Sequence, residues 1–376
     1  MKLALIGRDA ARVLAFRGSL VRAAQALGHE VIAVTGEGTA ADRATLEAAR
    51  VRLHEVRLDG GGMNPLRDRR YRAAVETVLR AERPDAALAY NPKCVAHGVP
   101  AARAAGVRTV VAMVTGLGHG FTEGGVRSWF VRTAKCRLFR SAFAMSDTVL
   151  LHNADDLETL RRHGAIDAAV EPRVHVIAGS GVDLCAFPAQ PVPPGAHFLM
   201  VARPLREKGL DTFLQASAKV LRELPGATCT WLGPLQDANP TAIARAELER
   251  LLRESGVRHV PEQADLRPWL RACSVFVLPS LREGTSKVML EAMATGRAVV
   301  TTDAPGCGSA VGAQAFGAVV PVRDALALAR AMVQLGAQAD RLAELGRAAR
   351  AKAQASFDAR NVDSTVLRAL GLLDGR

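Results

Sequence analysis

Short apolar runs alternate with helix-period segments in two blocks, and a stretch that continues neither pattern divides them. That stretch, Leu184 to Ala196, carries Pro188, Pro191, Pro193 and Pro194. Proline has no backbone N–H and a fixed φ, so four of them without a helical period predict an interdomain linker. The first block places strands at Leu3–Gly7, Val31–Thr35, Val51–Val56, Ala86–Ala89, Thr109–Val114, Thr148–Leu151 and Val174–Ile177. Between them lie helix signals at Arg17–Leu27, Ala40–Arg50, Pro65–Glu82, Val95–Ala105, Glu123–Phe143 and Ala154–His163. The second block repeats the pattern, with strands at His197–Val201, Thr228–Leu232, Ser274–Leu278, Ala298–Thr302 and Val319–Pro321. Its helix signals fall at Gly209–Leu224, Ala242–Glu254, Leu266–Arg271, Ser286–Thr295, Ala325–Ala355 (two helices) and Val362–Leu373. Alternation of this kind predicts an α/β fold: two doubly wound parallel sheets, each with helices on both faces. A chain of 376 residues has room for both. The division expected is residues 1–187, residues 188–358 and a terminal helical segment, 359–376.

Two such domains facing each other make a cleft at the carboxyl ends of their sheets, where ligands bind in folds of this class. The first βα turn, Gly7-Arg8-Asp9-Ala10, lacks the G-x-G-x-x-G spacing and argues against a nicotinamide dinucleotide. The net charge of +12 calls for an anionic partner or reflects an arginine-rich composition. Nucleic acid is disfavoured as that partner: aromatics are 4% of the chain, and no helix-turn-helix, RNP or zinc signature is present. The six cysteines form no C-x-x-C pair and no metal-ligand spacing, so reduced thiols and no metal are expected. Met1 to Ile6 starts like a signal peptide, but its apolar run stops at Gly7, and no run is long enough to span a bilayer.

The densest chemical signal lies between Leu278 and Gly306. A strand is broken by Pro279 and Gly284, Thr285 offers an N-cap, and Gly296 stands where a helix C-cap glycine belongs. Glu283 precedes that helix and Glu291 lies within it, with seven residues between them. A helix start presents backbone N–H groups and partial positive charge, which suit a phosphate. The N–H groups around Gly284, Thr285 and Ser286 are the candidates here. A carboxylate at Glu283 can accept from sugar hydroxyls, and one at Glu291 from ribose hydroxyls if its face is turned inward. Taken singly, Glu283 reads equally as a helix cap and Glu291 as a solvated side chain.

A second constellation, Arg203-Pro204-Leu205-Arg206-Glu207-Lys208-Gly209, occupies the first βα turn of the second block. A planar guanidinium and a compact ammonium converging from a strand end and a helix start suit a diphosphate. A third, Thr115-Gly116-Leu117-Gly118-His119-Gly120-Phe121, is a glycine-rich loop after a buried strand, with His119 able to hydrogen-bond a ligand. Val126 to Phe143 interleaves Trp129, Phe130, Val131, Leu138 and Phe139 with Arg127, Arg132, Lys135, Arg137 and Arg140. A basic amphipathic helix of this kind can lie on an anionic leaflet, and Arg67, Arg69, Arg70 and Arg72 add charge. The bland reading is a core helix with a solvated basic face.

Taken together, Glu283, Gly284, Met289, Glu291, Ala292, Gly296 and the following TTDAPGC resemble the E-x7-E signature of GT-B retaining glycosyltransferases, family 4. Arg203 and Lys208-Gly209 are similar to that family's diphosphate-contacting R-x4-K-G, and Gly179 to Asp183 to its S/N-G-V-D segment, where we assign Asp183 a structural role. The Thr115–Gly118 loop and the pair Phe16-Arg17 resemble the subgroup that builds on polyprenyl-diphosphate-linked sugars, with Arg17 open to an acceptor phosphate or to a surface role. The resemblance implies a GT-B fold with an acceptor-binding first domain, a nucleotide-sugar-binding second domain and a tail crossing back to the first. It implies a metal-independent, retaining hexosyltransferase without a cofactor, moving a sugar from a UDP-sugar to a polyprenyl-diphosphate-linked glycan. The setting implied is the cytoplasmic side of a membrane, in surface polysaccharide or glycoprotein glycan assembly. Glu283 would position the donor sugar, Glu291 the ribose, and Arg203 and Lys208 the diphosphate, with His119 a further candidate. Three rivals share these features: a transferase with another nucleotide-sugar or a soluble acceptor, a UDP-sugar 2-epimerase, and a non-catalytic subunit of a glycan-assembly complex.

Overall fold

The structure is a computed structural model and describes residues 1–58, 64–118, 120–121, 125–237, 239, 241–308 and 316–373. Contacts divide it into two units, Met1–Ser180 with Ala359–Arg376, and Gly181–Asp358.

In the first unit, β1 (Lys2–Ile6), β2 (Glu30–Thr35), β3 (Val51–Glu55), β4 (Ala86–Tyr90), β5 (Thr109–Val114), β6 (Thr148–Leu151) and β7 (Val174–Val176) form one sheet in the order β3-β2-β1-β4-β5-β6-β7. Every described pairing is parallel. The central strands are buried and apolar beyond their first residues, Lys2 of β1 and Thr109 of β5, because helices cover both faces. One face carries α3 (Pro65–Glu82), α4 (Pro92–Ala104) and α5 (Val126–Ala144), with Tyr71, Val75, Val99, Phe139 and Phe143 in the core beneath them. The opposite face carries α1 (Ala11–Ala26) and the chain's last described helix, Ala359–Ala369, whose Val362, Val366 and Leu367 pack into that face's core. Two shorter helices, α2 (Ala40–Ala48) and α6 (Ala154–Arg162), complete the unit.

The second unit repeats the plan. Its strands β8 (His197–Val201), β9 (Thr228–Leu232), β10 (Arg258–Val260), β11 (Val275–Leu278), β12 (Ala298–Thr302) and β13 (Gly317–Val320) run in the order β10-β9-β8-β11-β12-β13, all parallel. Its helices are α7 (Leu210–Glu223), α8 (Arg245–Ser255), α9 (Arg267–Ala272), α10 (Lys287–Thr295), α11 (Ala325–Gly336) and α12 (Ala339–Ser356), which leaves Ala359–Ala369 as α13. Strand order reverses between β1 and β4 in one unit and between β8 and β11 in the other. At each reversal the two flanking loops diverge and open a crevice.

Several expectations are corrected. Helix α1 begins at Ala11, ahead of Arg17, because its first turn has no side-chain cap to mark it in sequence. Ser286, not Thr285, caps α10, its hydroxyl accepting from the Met289 N–H at 3.4 Å. Strand β10 was not expected, being three residues with a histidine at its centre. Helix α8 starts at Arg245 rather than Ala242, and α13 spans Ala359–Ala369 rather than Val362–Leu373. Part of the segment foreseen as the start of α5, residues 123–124, lies outside the described residues.

The proline stretch also differs from a free linker. The Gln190 N–H donates to the Thr295 carbonyl, and Arg350 donates to the Phe187 and Ala294 carbonyls, fastening the stretch to the second unit. The contact division accordingly falls after Ser180, ahead of the expected Phe187. Val182 bridges to Asp358, and Asp183 accepts from the N–H groups of Cys185 and Ala186 in a local turn, a structural role. All six cysteines are unpaired thiols, and Cys185 alone of them is exposed.

Candidate active site

In the second unit, β8 ends at Val201 and β11 at Leu278, side by side across the reversal. The loop after β8 supplies Arg203 and Lys208, and the loop after β11 supplies Glu283, Gly284, Thr285 and Ser286. Topology alone therefore gathers six of the eight candidate residues. Side-chain geometry joins the two loops directly, for Lys208 Nζ donates to both carboxylate oxygens of Glu283 at 2.7 and 2.8 Å. A backbone bond seats the two loops on each other, the Leu281 N–H donating to the Glu207 carbonyl, and the Glu283 N–H ties the second of them to the loop after β12 by donating to the Pro305 carbonyl.

Gly209 shows why this approach needs glycine. Its φ is +67°, and a Cβ there would stand 2.0 Å from the Pro279 carbonyl oxygen. No side chain can relieve a collision with backbone. Gly209→Ala is therefore expected to destabilise the protein by more than the roughly 1–3 kcal/mol of a left-handed non-glycine residue. Urea unfolding would read it, and an unchanged midpoint would contradict this packing.

Two side chains absent from the sequence reading complete the site. Ser280 is fully buried and donates to Glu283 Oε1 at 2.7 Å, so the carboxylate is held from two sides. Arg203 donates to Asp237 Oδ2 at 3.2 Å, which pairs its guanidinium. Ser280 has no mark in the sequence beyond standing next to the strand-breaking Pro279. Asp237 lies in the loop after β9, with no motif to mark it.

Glu291 is the residue most at odds with its bland reading. It is 6% exposed on α10, not solvated, and burial raises its carboxyl from the ordinary range to about 7, opposed by Lys287 at 3.7 Å. A carboxyl buried without a close counter-ion or a full set of donors is costly. It gains if ligand hydroxyls supply those donors. Beside it, α10 points its N-terminus into the same loop, and that end carries the positive pole of the helix dipole. Cys307 lies buried nearby, its thiol pushed up to about 12 first by burial and then by Glu283, so it offers no thiolate at neutral pH. Among the described residues, no group of three or more His, Cys, Asp or Glu side chains is gathered to hold a metal ion.

The other candidates fare differently. His119 lies outside the described residues. Arg17 is neither at a helix start nor on the surface. It is 4% exposed within α1, donates to Ser180 Oγ at 3.0 Å and lies over the Tyr90 ring. Burial lowers its pKa, while Tyr90 and Asp363 oppose that shift. It reads as a strut between α1, the end of β4 and α13.

A model described as "Glycosyl transferase 4-like domain" matches residues 15–180, and one described as "Glycosyl transferases group 1" matches residues 195–338. Among curated proteins, the chain is 29% identical over 233 residues to N,N'-diacetylbacillosaminyl-diphospho-undecaprenol alpha-1,3-N-acetylgalactosaminyltransferase of Campylobacter jejuni, covering 57% of this chain and 57% of that protein. It is 30% identical to the amylovoran biosynthesis glycosyltransferase AmsK of Erwinia amylovora, over 43% of this chain and 41% of that one. The chain thus spans about half the length of these curated relatives. Among solved structures, Anabaena HepE in complex with UDP and glucose superposes with a TM-score of 0.78 at 18% identity, over 99% of this chain and 100% of that one. Sucrose-phosphate synthase from Thermosynechococcus elongatus gives 0.80 at 20%, over 100% and 99%. At such identities these two likenesses speak for the fold. With each family model falling inside one contact unit and the two together covering most of the chain, this protein belongs to the GT-B glycosyltransferases of the group 1 and 4-like families.

Proposed function

We propose that the protein is a retaining glycosyltransferase that moves a hexose or N-acetylhexosamine from a UDP-sugar to a polyprenyl-diphosphate-linked glycan, in surface polysaccharide or glycoprotein glycan assembly. The observation that carries the reading is the meeting of Lys208 with Glu283 at the β8–β11 reversal. A cation suited to a diphosphate and a carboxylate suited to sugar hydroxyls stand within hydrogen-bond distance, beside the N-terminus of α10. The acceptor class is drawn from the C. jejuni relative, whose name specifies an undecaprenol-diphosphate substrate, and UDP from the ligand named with Anabaena HepE.

In the proposed mechanism the acceptor hydroxyl attacks the donor C1 from the face of the leaving group. The new C1–O bond forms as the C1–O bond to the diphosphate breaks, and the acceptor proton passes to the departing UDP. Arg203 and Lys208 stabilise the charge growing on the diphosphate, a preorganised electrostatic role that needs no metal. Glu283 orients the sugar, Glu291 the ribose, and backbone N–H groups at Gly284 and Thr285 join the phosphate contacts. The first unit recognises the acceptor. No described helix is long and apolar enough to cross a membrane. The lipid-borne acceptor class places the proposed meeting at the cytoplasmic face of a membrane, with the protein docked peripherally.

The test is UDP release from a panel of UDP-sugars, with and without an undecaprenyl-diphosphate-linked monosaccharide, in buffer containing EDTA. Release that requires the acceptor and one sugar is expected. Arg203→Ala should lower kcat by about 10²-fold, the usual scale for one preorganised donor. Release of an isomerised free sugar without acceptor would replace the reading with an epimerase. Tight UDP binding without turnover on any sugar or acceptor would replace it with a binding subunit.

A further inference from the structure

The first unit carries a charged cavity on α5 that the transfer chemistry does not use. It has a volume of about 260 Å³ and is lined by Trp129, Arg132, Thr133, Arg137, Arg140 and His163, with Cys136 at its wall. All but His163 lie on one side of α5, and His163 faces them from the turn that ends α6. Arg140 reaches Asp167 at 3.2 Å, whereas neither Arg132 nor Arg137 meets a carboxylate among the described residues. His163 is held below its ordinary pKa by burial and then by Arg132 and Arg162, so it stays neutral and available to hydrogen-bond. Lys135, read from sequence as part of the same basic face, instead lies half-buried over the Phe121 ring.

The rim of the cavity is apolar. Trp129 and Phe130 pack edge to face at 4.9 Å and are 52% and 62% exposed. Helices α3 and α5 each follow a strand of one parallel sheet, so both begin at its carboxyl edge, and α4 packs between them. Leu66, 73% exposed in the first turn of α3, therefore stands at the same edge as Trp129 and Phe130. Unpaired arginines behind exposed aromatic and aliphatic side chains match the layering of a bilayer surface, with phosphates outside and acyl chains within.

We infer that this cavity takes the phosphodiester headgroup of an anionic phospholipid, with Arg132 and Arg137 on the phosphate, Thr133 beside it, and Trp129 and Phe130 entering the acyl boundary. The inference rests on the reading of a membrane-borne acceptor and adds to it a site that would orient the carboxyl edge of the first sheet toward the leaflet. Charge complementarity selects the occupant: among the described residues two arginines lack counter-ions, and the surrounding apolar rim would be wasted on a soluble phosphate.

The experiment is flotation of the full chain with phosphatidylcholine vesicles containing 30% phosphatidylglycerol (a mole fraction of about a third). Arg132→Ala with Arg137→Ala should reduce partitioning at least tenfold, and Trp129→Ala with Phe130→Ala by a similar factor. Arg69→Ala with Arg70→Ala removes the same charge from α3 and should cost several-fold less. Equal losses from the two arginine pairs would overturn the cavity in favour of a diffuse basic surface. Binding of glycerol phosphate to the cavity in the absence of vesicles, as tight as vesicle binding, would overturn the lipid as occupant. All variants should keep wild-type UDP release with a short-chain, water-soluble acceptor analogue. A chain that floats as expected yet transfers nothing would refute the transferase reading and leave this site standing.

Discussion

Replacing Glu283 by alanine is expected to lower sugar transfer by about 10²–10³-fold, the scale for a preorganised polar group lost from a transition state. The fold should survive. The Glu283 carboxylate is held by Lys208 and Ser280, and Lys208 itself is partly open to solvent, so its removal strands no fully buried charge. A loss of about 1–2 kcal/mol is the corresponding stability expectation. Lys208 adds a second signature. Its ammonium lies on both oxygens of Glu283, and a diphosphate must compete for it. Without Glu283 that competition ends. UDP should then bind Glu283→Ala as tightly as wild type or more tightly, even as kcat collapses. Calorimetric titration with UDP beside single-turnover transfer separates the two effects. Wild-type single-turnover rates would remove Glu283 from the sugar site, and a parallel loss of UDP affinity would make it a nucleotide-binding residue.

How far the sequence discloses this site follows from how local each cause is. The alternation of strands and helices was legible because fully buried parallel strands read as continuous apolar runs, as at Val275–Leu278 and Ala298–Thr302. Gly296 announced the end of α10 because it adopts the left-handed conformation that favours glycine. Glu283, Glu291, Arg203 and Lys208 stood out as a pattern. What gathers them is the strand order, which no local signal encodes.

The features missed are the ones fixed by distant partners. Asp237 reaches Arg203 from the loop after β9, and Arg17 is buried by Ser180, Tyr90 and the returning α13. An arginine read alone is a surface residue on prior grounds, and only tertiary contact overrides that prior. The proline stretch reads as a linker for a similar reason. Its lack of helix and strand is local, whereas its attachment to Thr295 and Arg350 is not. On α5, sequence supplied the alternation of basic and apolar residues but not its sorting. Phe139 and Phe143 go to the core, Trp129 and Phe130 to the surface, and Lys135 turns away from Arg132 and Arg137.

Glu291→Gln is expected to move stability and ligand affinity in opposite directions. The folded-state carboxyl titrates at about 7 because burial disfavours its charged form, against an ordinary value of 4.5. The folded protein therefore holds this proton more tightly than the unfolded chain does. Its contribution is most favourable below pH 4.5, declines as pH rises toward 7, and is lost above that. A difference of this size corresponds to a penalty of up to about 3 kcal/mol at pH 8. Glutamine carries no such penalty. The variant should match wild type near pH 4.5 and exceed it increasingly up to pH 8, as read by urea unfolding at a series of pH values. Affinity should fall all the same, by roughly tenfold to a hundredfold, because hydrogen bonds from ribose hydroxyls to a carboxylate are charge-assisted. A UDP-sugar is the right probe, since its diphosphate does not titrate in this range. Wild-type affinity for it should rise from pH 6 to pH 8 as Glu291 ionises, and the variant's should stay flat. A variant less stable than wild type at pH 8 would mean that the buried carboxylate is already fully compensated without ligand. Unchanged UDP-sugar affinity would take Glu291 out of the ribose site.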